Sequence, residues 1–381
     1  MEAIAEKKHL IRSLMLTVPM TILSVLLAAM SGMFGSPLYS IASGLTLVFL
    51  NYCFFQMFYT GKTDKYRAIL FITTALLFPV QFIAQNYEAR GVFMVLTFED
   101  VLGAQTPFCH IGIIQTIAAI LIKKTVIFPG LIADIGSVIL LWVAYSLALG
   151  RGWCSWGCFW GGWDDGFSRI MRKPFLKRIQ KNIIYIPFAV LLAVVLTSTL
   201  TLSAQYCWWV CPFKAVSEFL EVSTAKIVVQ TVIFLMLFFG LVVVLPMLTK
   251  KRTQCAFLCP FGAMQSVTNR ISPFDIVIDR EKCVKCKRCI AECQFMCLDE
   301  KSLETGKPGI TCTKCGKCVD ACPRKAISYH VKGTIPGKNT GLKRVLFLYS
   351  ALFLVLFIGG SVMIPAIYRI LLFITTGSFV K

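Results

Sequence analysis

The amino-acid sequence predicts a mainly α-helical fold, a polytopic transmembrane bundle that carries one small α+β domain. Of the 381 residues, 57% are hydrophobic and only 15% are charged, whereas soluble proteins carry about 25% charged residues. Several apolar runs are long enough to cross a hydrocarbon layer about 30 Å thick. One polar, cysteine-rich stretch near residues 274–332 lacks this character. These observations predict an integral membrane protein of about seven spans.

The positive charge of the chain lies in short loops beside its apolar runs. The formal net charge is +20, and basic clusters such as residues 62–67 and 250–252 stand at the ends of apolar runs. Loops of this kind are retained on the cytoplasmic side of a membrane, and a nucleic-acid-binding stripe is distributed differently. We therefore expect the lipid bilayer, and no nucleic acid, as a partner.

The first spans follow from length and flanking charge. The run over residues 13–30 is longer than the apolar core of a signal peptide and lacks a clear cleavage site, which favours a retained anchor over a cleaved signal. Residues 37–59 and a run ending at residue 85 form the next two spans. The stretch 86–125 then lies outside, and its apolar segment 111–122 is too short to span, which predicts a re-entrant or interfacial helix.

Hydropathy divides the remaining chain into further spans and the polar domain. Two strands, at residues 275–279 and 326–331, are expected to flank the cysteine-rich stretch. A last span at 345–365 leaves the C-terminus outside unless residues 368–380 turn back. The other predicted spans are 126–149, 183–204 and 227–248, and the predicted domains are a transmembrane helical domain over residues 1–249, a linker over 250–273, the polar domain over 274–332 and a C-terminal span and tail over 333–381.

Two runs of four cysteines carry the strongest motif in the chain. Each run reads Cys-x2-Cys-x2-Cys-x3-Cys, and Pro323 follows the second. This is the spacing of bacterial ferredoxins, in which three thiolates of one run and the last thiolate of the other hold a 4Fe–4S cluster. A zinc ribbon is the alternative, but it uses pairs of cysteines. We therefore predict a ferredoxin-like domain with two 4Fe–4S clusters, one on Cys283, Cys286, Cys289 and Cys322 and the other on Cys312, Cys315, Cys318 and Cys293.

One position departs from the ferredoxin pattern. Gln294 stands where the first run usually has proline, and Cys297 follows closely. Cys293 is the expected ligand by its spacing, and Cys297 is the alternative.

A second cysteine element, Cys-x3-Cys, occurs three times, each time at the end of an apolar run. Two cysteines four apart on a helical turn face the same way and can bind one metal centre. Pro212 and Pro260 suit the first position of a new helix, where a preceding cysteine is favoured as thiolate. Buried structural thiols are the alternative interpretation. The three pairs are Cys154 and Cys158, Cys207 and Cys211, and Cys255 and Cys259.

The expected topology sorts these pairs onto two faces of the membrane. The first and third pairs emerge on the cytoplasmic face, where Cys154, Cys158, Cys255 and Cys259 supply enough thiolates for a third cubane cluster. The second pair emerges on the outer face. There Cys207, Cys211, Cys109 and His110 are predicted to form a mixed metal site, with structural thiols and a structural histidine as the alternative.

The sequence also indicates which cofactors are not expected. It contains three histidines, and no span carries one in its interior. There is no Cys-x-x-Cys-His motif, so neither a bis-histidine membrane haem nor a c-type haem is expected. No convincing phosphate loop or dinucleotide fingerprint is found, so NAD is not expected either.

Residues 150–330, with two ferredoxin runs preceded by Cys-x3-Cys-Pro elements, resemble the polyferredoxin-like membrane 4Fe–4S protein family. That family includes the NapH-type quinol dehydrogenase subunit, with NosR and CcoG as relatives. The family pattern matches Cys211-Pro212 and Cys259-Pro260, whereas Cys158-Phe159 departs from it. No flavin-attachment domain precedes the spans, which argues against a full NosR-type protein. The resemblance implies a multi-pass protein of the bacterial or archaeal cytoplasmic membrane, with its ferredoxin domain on the cytoplasmic side.

The resemblance further implies electron transfer between a quinol pool or cytoplasmic reductant and a partner respiratory oxidoreductase. A quinone and partner electron-carrier subunits are then expected. Asp134 lies inside the fourth predicted span, where an ionisable group is costly and often faces a pathway, so we expect it to accept a proton from quinol. A boundary aspartate within reach of water is the alternative. An assembly or metal-reduction factor for a partner metalloenzyme, of the CcoG type, is the alternative function, and a redox-sensing regulator is a third.

Overall fold

The structure, a computed structural model, is a bundle of long helices that carries one small α+β unit. Within the segments of the chain that it describes, six helices are long and apolar enough to cross a membrane. The described residues are 2–30, 32–90, 106–107, 109–112, 114, 117, 127–128, 135–176, 179–217 and 224–380.

The chain contains both long helices and short helices of a few turns. The long ones coincide with apolar runs, because a backbone in hydrocarbon must satisfy its polar groups within its own helix. The helices are α1 (Glu2–Met30), α2 (Pro37–Tyr59), α3 (Thr63–Arg90), α4 (Ile135–Leu149), α5 (Trp153–Trp156), α6 (Gly161–Ile170), α7 (Ile186–Thr201), α8 (Gln205–Trp209), α9 (Lys214–Ser217), α10 (Ala225–Thr249), α11 (Thr253–Phe257), α12 (Pro260–Thr268), α13 (Arg288–Glu292), α14 (Glu300–Thr305), α15 (Lys317–Ala321) and α16 (Thr340–Thr376).

Local sequence explains several helix boundaries. The Ser36 side chain accepts a hydrogen bond from the backbone N–H of Tyr39 at 3.2 Å, and proline follows as the first residue of α2. Such N-cap residues satisfy donors that the first helical turn leaves free. Asp299 and Ser302 form a capping box at the start of α14, which ends at Gly306 in the left-handed conformation with φ +76°. Glycine adopts this conformation without steric cost.

The short helices fold back against the long ones. After α10 the chain reverses, and the Thr253 hydroxyl donates to the carbonyl of Leu241 in the middle of that helix. α10 is π-helical over Phe238–Val244, around this contact. A side chain inserted into a helical ladder is a known cause of such irregularities. The Cys-x3-Cys element of α11 therefore lies inside the bundle and does not project from its end.

The same folding back occurs after α4. A Cβ atom added to Gly162 in α6 would lie 2.4 Å from the carbonyl oxygen of Phe71 in α3. Only glycine permits so close an approach of two helices. The first Cys-x3-Cys element is thereby held against α3.

Two small sheets complete the described fold. β1 (Thr106–Pro107) pairs with β2 (Ile127–Phe128) in parallel. β3 (Phe274–Ile278) pairs with β4 (Ile327–Val331) in antiparallel register, from Phe274 opposite Val331 to Ile278 opposite Ile327. β3 and β4 agree with the predicted strands to within one residue at each end.

Two predicted spans have the wrong ends. Ile127 and Phe128 lie in a strand, so the fourth span does not begin at residue 126, and α4 is described over Ile135–Leu149. The last helix does not stop at Pro365 but continues to Thr376, because neighbouring helices in a membrane support a proline within a helix. Of the short apolar segment 111–122, residues 111, 112, 114 and 117 are described, and all four are helical.

The α+β unit is fixed to the bundle where α2 ends and α3 begins. The Asp320 carboxylate accepts hydrogen bonds from the backbone N–H groups of Thr63 at 3.2 Å and Asp64 at 2.7 Å. It therefore caps α3 from a segment more than 250 residues away. Arg344 of α16 donates to the carbonyl of Met57 at 2.7 Å. These contacts hold the polar unit at one end of the long helices.

Candidate metal centres

The first ferredoxin set lies at the surface of the α+β unit. The four cysteines assigned to the first cluster line one small cavity. Cys286 is exposed and Cys289 is buried, and the backbone N–H of Ala326 donates to the Cys322 sulfur at 3.3 Å. The structure thus brings together Cys283, Cys286, Cys289 and Cys322.

The second ferredoxin set faces the bundle. Cys312, Cys315 and Cys318 line a second cavity, together with both Cys293 and Cys297. The sulfur atoms of Cys293 and Cys297 are 3.4 Å apart. The hydrogen bond with Cys297 lowers the pKa of Cys293 to about 6, and it raises the pKa of Cys297. Both cysteines are therefore within reach of the site, and the assignment of Cys293 stays a prediction.

The backbone of these runs is bent by residues in the left-handed conformation. Lys285, Lys287 and Lys314 have φ values of +53°, +60° and +52°, and Gly316 has +88°. Such turns bring successive N–H groups together in a concave arrangement that suits an anionic cluster. At Gly316 a Cβ atom would lie 2.4 Å from the Tyr329 hydroxyl oxygen, so the turn before α15 has no room for a side chain.

Gln294, which replaces the usual proline, fixes the second set to the bundle. It is 1% exposed. Its amide nitrogen donates to Asp165 at 2.8 Å and to the Ser168 hydroxyl at 2.6 Å, and its backbone carbonyl accepts from the N–H of Arg252 at 3.1 Å. A proline could make neither side-chain bond. The departure from the ferredoxin pattern therefore has a structural cause.

The first and third Cys-x3-Cys elements meet inside the bundle. Cys154, Cys158, Cys255 and Cys259 are all buried, and each lies within electrostatic range of at least two of the other three thiols. We call these four cysteines the third set. Pro260 begins α12, as predicted, and Cys259 precedes it. Pro212 does not begin a helix, since α9 starts only at Lys214. The two elements supply four converging thiols, the number that a cubane cluster needs.

His110 joins this group and not the one predicted for it. Its Nε2 atom lies 3.0 Å from the sulfur of Cys158, and its ring contacts Phe261 with centroids 4.5 Å apart. His110 is 48 residues before Cys158, and no motif in the sequence relates the two.

The predicted outer group is brought together only in part. Cys109 and Cys211 lie within electrostatic range of each other, and Trp160 donates to the Cys109 sulfur at 3.4 Å. Cys207 packs separately against Ala204 and Trp208. The group also lies beside the third set and not across the membrane from it, because Gln254 donates to the Tyr206 hydroxyl at 3.1 Å. The opposite-face prediction failed because α8 folds back into the bundle.

Asp134, the predicted proton acceptor, lies outside the described residues. Among the described residues, no three His, Cys, Asp or Glu side chains converge on a point that one metal ion could occupy. A tetrahedral zinc site with Zn–S bonds of about 2.3 Å requires such a point. A cubane cluster binds its four thiolates through four different irons and does not require one.

Sequence reasoning missed the buried arginines around the third set. Arg67, Arg151 and Arg252 are each at most 2% exposed. Arg67 donates to the carbonyl of Ser155 at 2.8 Å and pairs with Asp165 at 2.6 Å. The sequence did contain a signal, since Arg151 and Arg252 each stand three residues before the first cysteine of an element.

Two known protein families match the cysteine-containing parts of the chain. A family described as 4Fe-4S dicluster domain matches residues 282–327. A second, described as 4Fe-4S binding domain, matches three times, over residues 135–179, 183–228 and 231–278. Each of these three matches contains one Cys-x3-Cys element, including the first element, which has phenylalanine in place of proline.

Similar proteins come from a bacterium and an archaeon. An uncharacterised protein of Methanocaldococcus jannaschii is 27% identical over 58% of this chain and 85% of its own length. YccM of Escherichia coli, provisionally described as an electron transport protein, is 25% identical over 49% of this chain, which spans about half (52%) of YccM. The ferredoxin-type protein NapH of Escherichia coli is 28% identical over 51% of this chain and 66% of its own length. No solved structure shows a significant match to the chain.

Proposed function

We propose that this chain, which belongs to the polyferredoxin-like membrane 4Fe–4S protein family, passes electrons between a quinol pool and a partner respiratory oxidoreductase. It is a membrane iron–sulfur protein of electron transfer. We assign two clusters to the ferredoxin unit, within residues 274–332, and a third to Cys154, Cys158, Cys255 and Cys259. The protein positions these clusters and sets their potentials, while iron carries the electron.

The observation that carries this proposal is a line of cysteine sites along α3. Thr63, at its start, contacts the second ferredoxin set through Asp320. Arg67, one turn further, contacts the first Cys-x3-Cys element. Phe78 stacks on Phe159 with centroids 3.8 Å apart. Thr63 and Phe78 are about 22 Å apart along the helix at 1.5 Å per residue. The contacts of these two cysteine sets with α3 thus extend over about 22 Å of that helix.

A direct hydrogen bond links the second ferredoxin set to the third set. Trp156 lies between Cys154 and Cys158, and its indole N–H donates to the carbonyl of Lys314 at 3.2 Å. Lys314 lies between Cys312 and Cys315. Both residues are buried. This contact gives electrons a short path through bonds between the polar unit and the bundle.

A cavity among α1, α2, α3 and α16 supports the quinol assignment. Its volume is about 370 Å³, within the range of small-molecule sites. It is largely apolar, with the Tyr39 hydroxyl and the amides of Gln81 and Gln85 as polar groups. Phe78 lines it, and the same ring stacks on Phe159 beside Cys158. A quinol ring in this cavity would lie one aromatic contact from the third set.

An ion pair between the buried Arg369 and the exposed Glu88 lies beside the polar side of the cavity. Arg369 donates to the Gln81 side-chain oxygen at 3.0 Å and pairs with Glu88 at 2.6 Å. Quinol oxidation releases protons as well as electrons, and ionisable groups inside a membrane commonly mark proton paths. We assign Glu88 and Arg369 to that path, alongside Asp134.

The exposed first ferredoxin set is the proposed contact with the partner. Cys286 and Val284 are exposed there. Four basic residues lie near the cysteines of this set in sequence: Lys285, Arg288, Arg324 and Lys325. Among the described residues, the side chains of these four form no ion pair. Complementary charge steers association between proteins. The partner is therefore a protein with an acidic face, and the positive-inside pattern supports a cytoplasmic location for this unit.

An iron and acid-labile sulfide count on anaerobically purified protein tests the cluster assignments. About twelve irons are expected, since each cubane holds four. About eight irons would limit the clusters to the ferredoxin unit. Cys259→Ser should remove about four irons and leave the ferredoxin spectra unchanged.

Quinol oxidation tests the function itself. A soluble quinol analogue should reduce the clusters of the wild-type protein under anaerobic conditions. Failure to do so, combined with reduction of a bound copper ion, would support the assembly or metal-reduction function instead.

A further inference from the structure

The first and third Cys-x3-Cys elements share more than their cysteines. Both read Arg-x2-Cys-x3-Cys-x2-Gly, from Arg151 to Gly161 and from Arg252 to Gly262. In the second element, Ala204 stands at the position of the arginine and Lys214 at the position of the glycine. The chain therefore contains two equivalent halves of one site and a third copy that lacks the arginine and glycine.

Each arginine binds the half to which it does not belong. Arg252 donates through Nη2 to the carbonyl of Cys154 at 2.9 Å. Arg151 donates through Nη2 to the carbonyl of Cys255 at 3.4 Å. The two contacts are reciprocal, so the guanidinium groups join the two elements as a symmetric pair. We call Arg151 and Arg252 the arginine clamp.

The two glycines leave room for this exchange. A Cβ atom at Gly161 would lie 2.3 Å from Nη2 of Arg252, and a Cβ atom at Gly262 would lie 3.3 Å from Nη2 of Arg151. Real Cβ atoms rarely approach other atoms so closely. Each glycine of one half thus accommodates the arginine of the other.

The clamp carries buried charge without a carboxylate directly hydrogen-bonded to it. Arg151 donates to Ser266 and a backbone carbonyl. The side chain of Arg252 donates to Ser155, to backbone carbonyls and to the Cys255 sulfur at 3.3 Å. The Nε atoms of both have no hydrogen-bond partner among the described residues. Buried donors and charges of this kind are costly unless an anion compensates them.

Asp164 and Asp165 lie within electrostatic range of Arg252, but Asp165 is already paired with Arg67 and Arg169, and the Cys255 thiol acts on Arg252 more strongly than either carboxylate. The thiols are therefore the groups that can supply the remaining negative charge. Arg151 lies within electrostatic range of Cys154 and Cys259, and Arg252 within range of Cys154, Cys158 and Cys255. Four thiolates on a cubane core concentrate negative charge at this point, and reduction adds one electron more. Nearby cations stabilise the reduced form more than the oxidised form in a low-dielectric site.

We propose that the arginine clamp compensates the charge of a 4Fe–4S cluster on Cys154, Cys158, Cys255 and Cys259 and raises its reduction potential. This inference rests on the proposed function, which places a cluster there. Arg151 and Arg252 are positioning residues, since they act on the cluster through charge and through contacts with its ligands.

Phe295 connects the clamp to the second ferredoxin set. Both guanidinium groups contact its ring, with the ring centroid 5.2 Å from Arg151 and 4.8 Å from Arg252. It belongs to the loop between Cys293 and Cys297 and is 2% exposed. Cation–π contacts of this kind are strongest when desolvated. The clamp therefore occupies the space between the two sets, where its charge affects electron transfer between them.

Potentiometric titration monitored by electron paramagnetic resonance tests the proposal. The full-length protein is purified anaerobically in detergent, and the variants are Arg151→Gln and Arg252→Gln. Each should lower the midpoint potential of the third cluster by about 59 mV or more, which is a tenfold change in the reduced-to-oxidised ratio of a one-electron couple. Potentials of the two ferredoxin clusters should change much less.

Arg344→Gln is the matched control, because it removes another arginine, half-buried, that donates to the carbonyl of Met57 and to the Thr63 hydroxyl outside the third set. It should leave the midpoint potential of the third cluster unchanged. Equal potentials in the wild type and both clamp variants, at full iron content, would overturn the proposal. A wild-type protein without a third cluster would instead refute the cluster assignment itself, so the two failures are distinguishable.

Arg151→Lys and Arg252→Lys provide the test if the glutamine variants fail to fold. Lysine keeps the positive charge but cannot reproduce the planar fork of arginine. The midpoint potential of the third cluster should then fall by less than about 59 mV. Its electron paramagnetic resonance spectrum should change. A midpoint potential lowered by about 59 mV or more in both lysine variants, which keep the positive charge, would show that charge does not raise the potential and would also overturn the proposal.

Discussion

At the scale of single residues, one substitution in a familiar motif changes what the motif contacts. Gln294 replaces proline and binds Asp165 and Ser168 of α6. The next residue, Phe295, reaches the arginine clamp. The ferredoxin run thus keeps its cysteine spacing while its trailing loop becomes the contact with the membrane bundle.

Gln294→Ala should destabilise the protein by about 1–3 kcal/mol, because it removes two hydrogen bonds to the buried Asp165 and Ser168. The measurement is thermal or denaturant unfolding in detergent, followed through cluster absorption. Gln180→Ala, at an exposed position, is the control and should change stability by less than about 0.5 kcal/mol. Equal effects of the two substitutions would show that Gln294 does not anchor the domain.

The choice between Cys293 and Cys297 can be tested at the same scale. We expect Cys293→Ser to remove the second ferredoxin cluster, because Cys293 has the ligand spacing of the family. Cys297→Ser should retain it. Iron content and the spectrum of the remaining cluster report the outcome, and loss of the cluster in Cys297→Ser alone would reverse the assignment.

At the scale of elements, tight turns determine where the cysteines point. The turn before α15 requires Gly316, with φ +88° and no space for a Cβ atom beside Tyr329. Short helices that fold back along α3 and α10 then bring Cys-x3-Cys elements into the bundle. These segments would be unstable alone, since each has only one or two turns, and packing against long helices stabilises them.

Gly316→Ala should cost more than about 1 kcal/mol and loosen the second cluster, because it adds a steric clash to backbone strain. Gly333→Ala is the matched control: φ is +81° there, but no atom lies within 4 Å of the added Cβ. The effect of Gly333→Ala should therefore come from backbone strain without a steric clash. The rate of cluster loss to an iron chelator measures the difference, and similar rates in both variants would contradict the steric argument.

At the scale of the whole molecule, the polar unit and the bundle form one continuous structure. Asp320 caps α3, and Trp156 of the bundle donates to Lys314 of the polar unit. The first and second ferredoxin sets, the third set and the group around Cys109 are therefore neighbours in one folded structure, with Cys286 exposed at its surface. The cavity proposed for quinol is lined by Phe78, whose ring stacks on Phe159 beside Cys158 of the third set.

Filling the cavity should abolish reduction by quinol without affecting the clusters. Gly360 lines it, and no atom lies within 4 Å of an added Cβ. Gly360→Phe should lower the rate with a quinol analogue about tenfold or more, equivalent to about 1.4 kcal/mol of lost binding. Reduction by dithionite should be unchanged. Gly341→Phe, at an open position of the same helix, is the control, and equal quinol rates in both variants would locate quinol elsewhere.

Charge reversal around Cys286 should slow electron exchange with an acidic carrier protein. Lys285→Glu and Arg288→Glu should lower the association rate and weaken its dependence on ionic strength, since steering by charge is screened by salt. Stopped-flow kinetics at several salt concentrations measure both quantities. Lys338→Glu, a reversal outside the group of basic residues around Cys286, is the control. A rate independent of salt in the wild type would argue against this docking face.

The sequence alone determined the ferredoxin unit and most of the membrane spans, apart from the start of the fourth span and the end of the last. Both are local properties: a run of apolar side chains must form a helix in hydrocarbon, and a cubane cluster requires thiolates at short fixed spacings. For the same reason the strands flanking the cysteine runs were predicted almost to the residue.

Only the tertiary structure decided which distant groups meet. The approach of His110 to Cys158, the Trp156 hydrogen bond to Lys314 and the reciprocal contacts of Arg151 and Arg252 join segments far apart in the chain. They depend on how the short helices fold back, which hydropathy does not encode. The physical reason is that a buried charge or thiol is placed by the packing of several helices together and not by the pattern of any one of them.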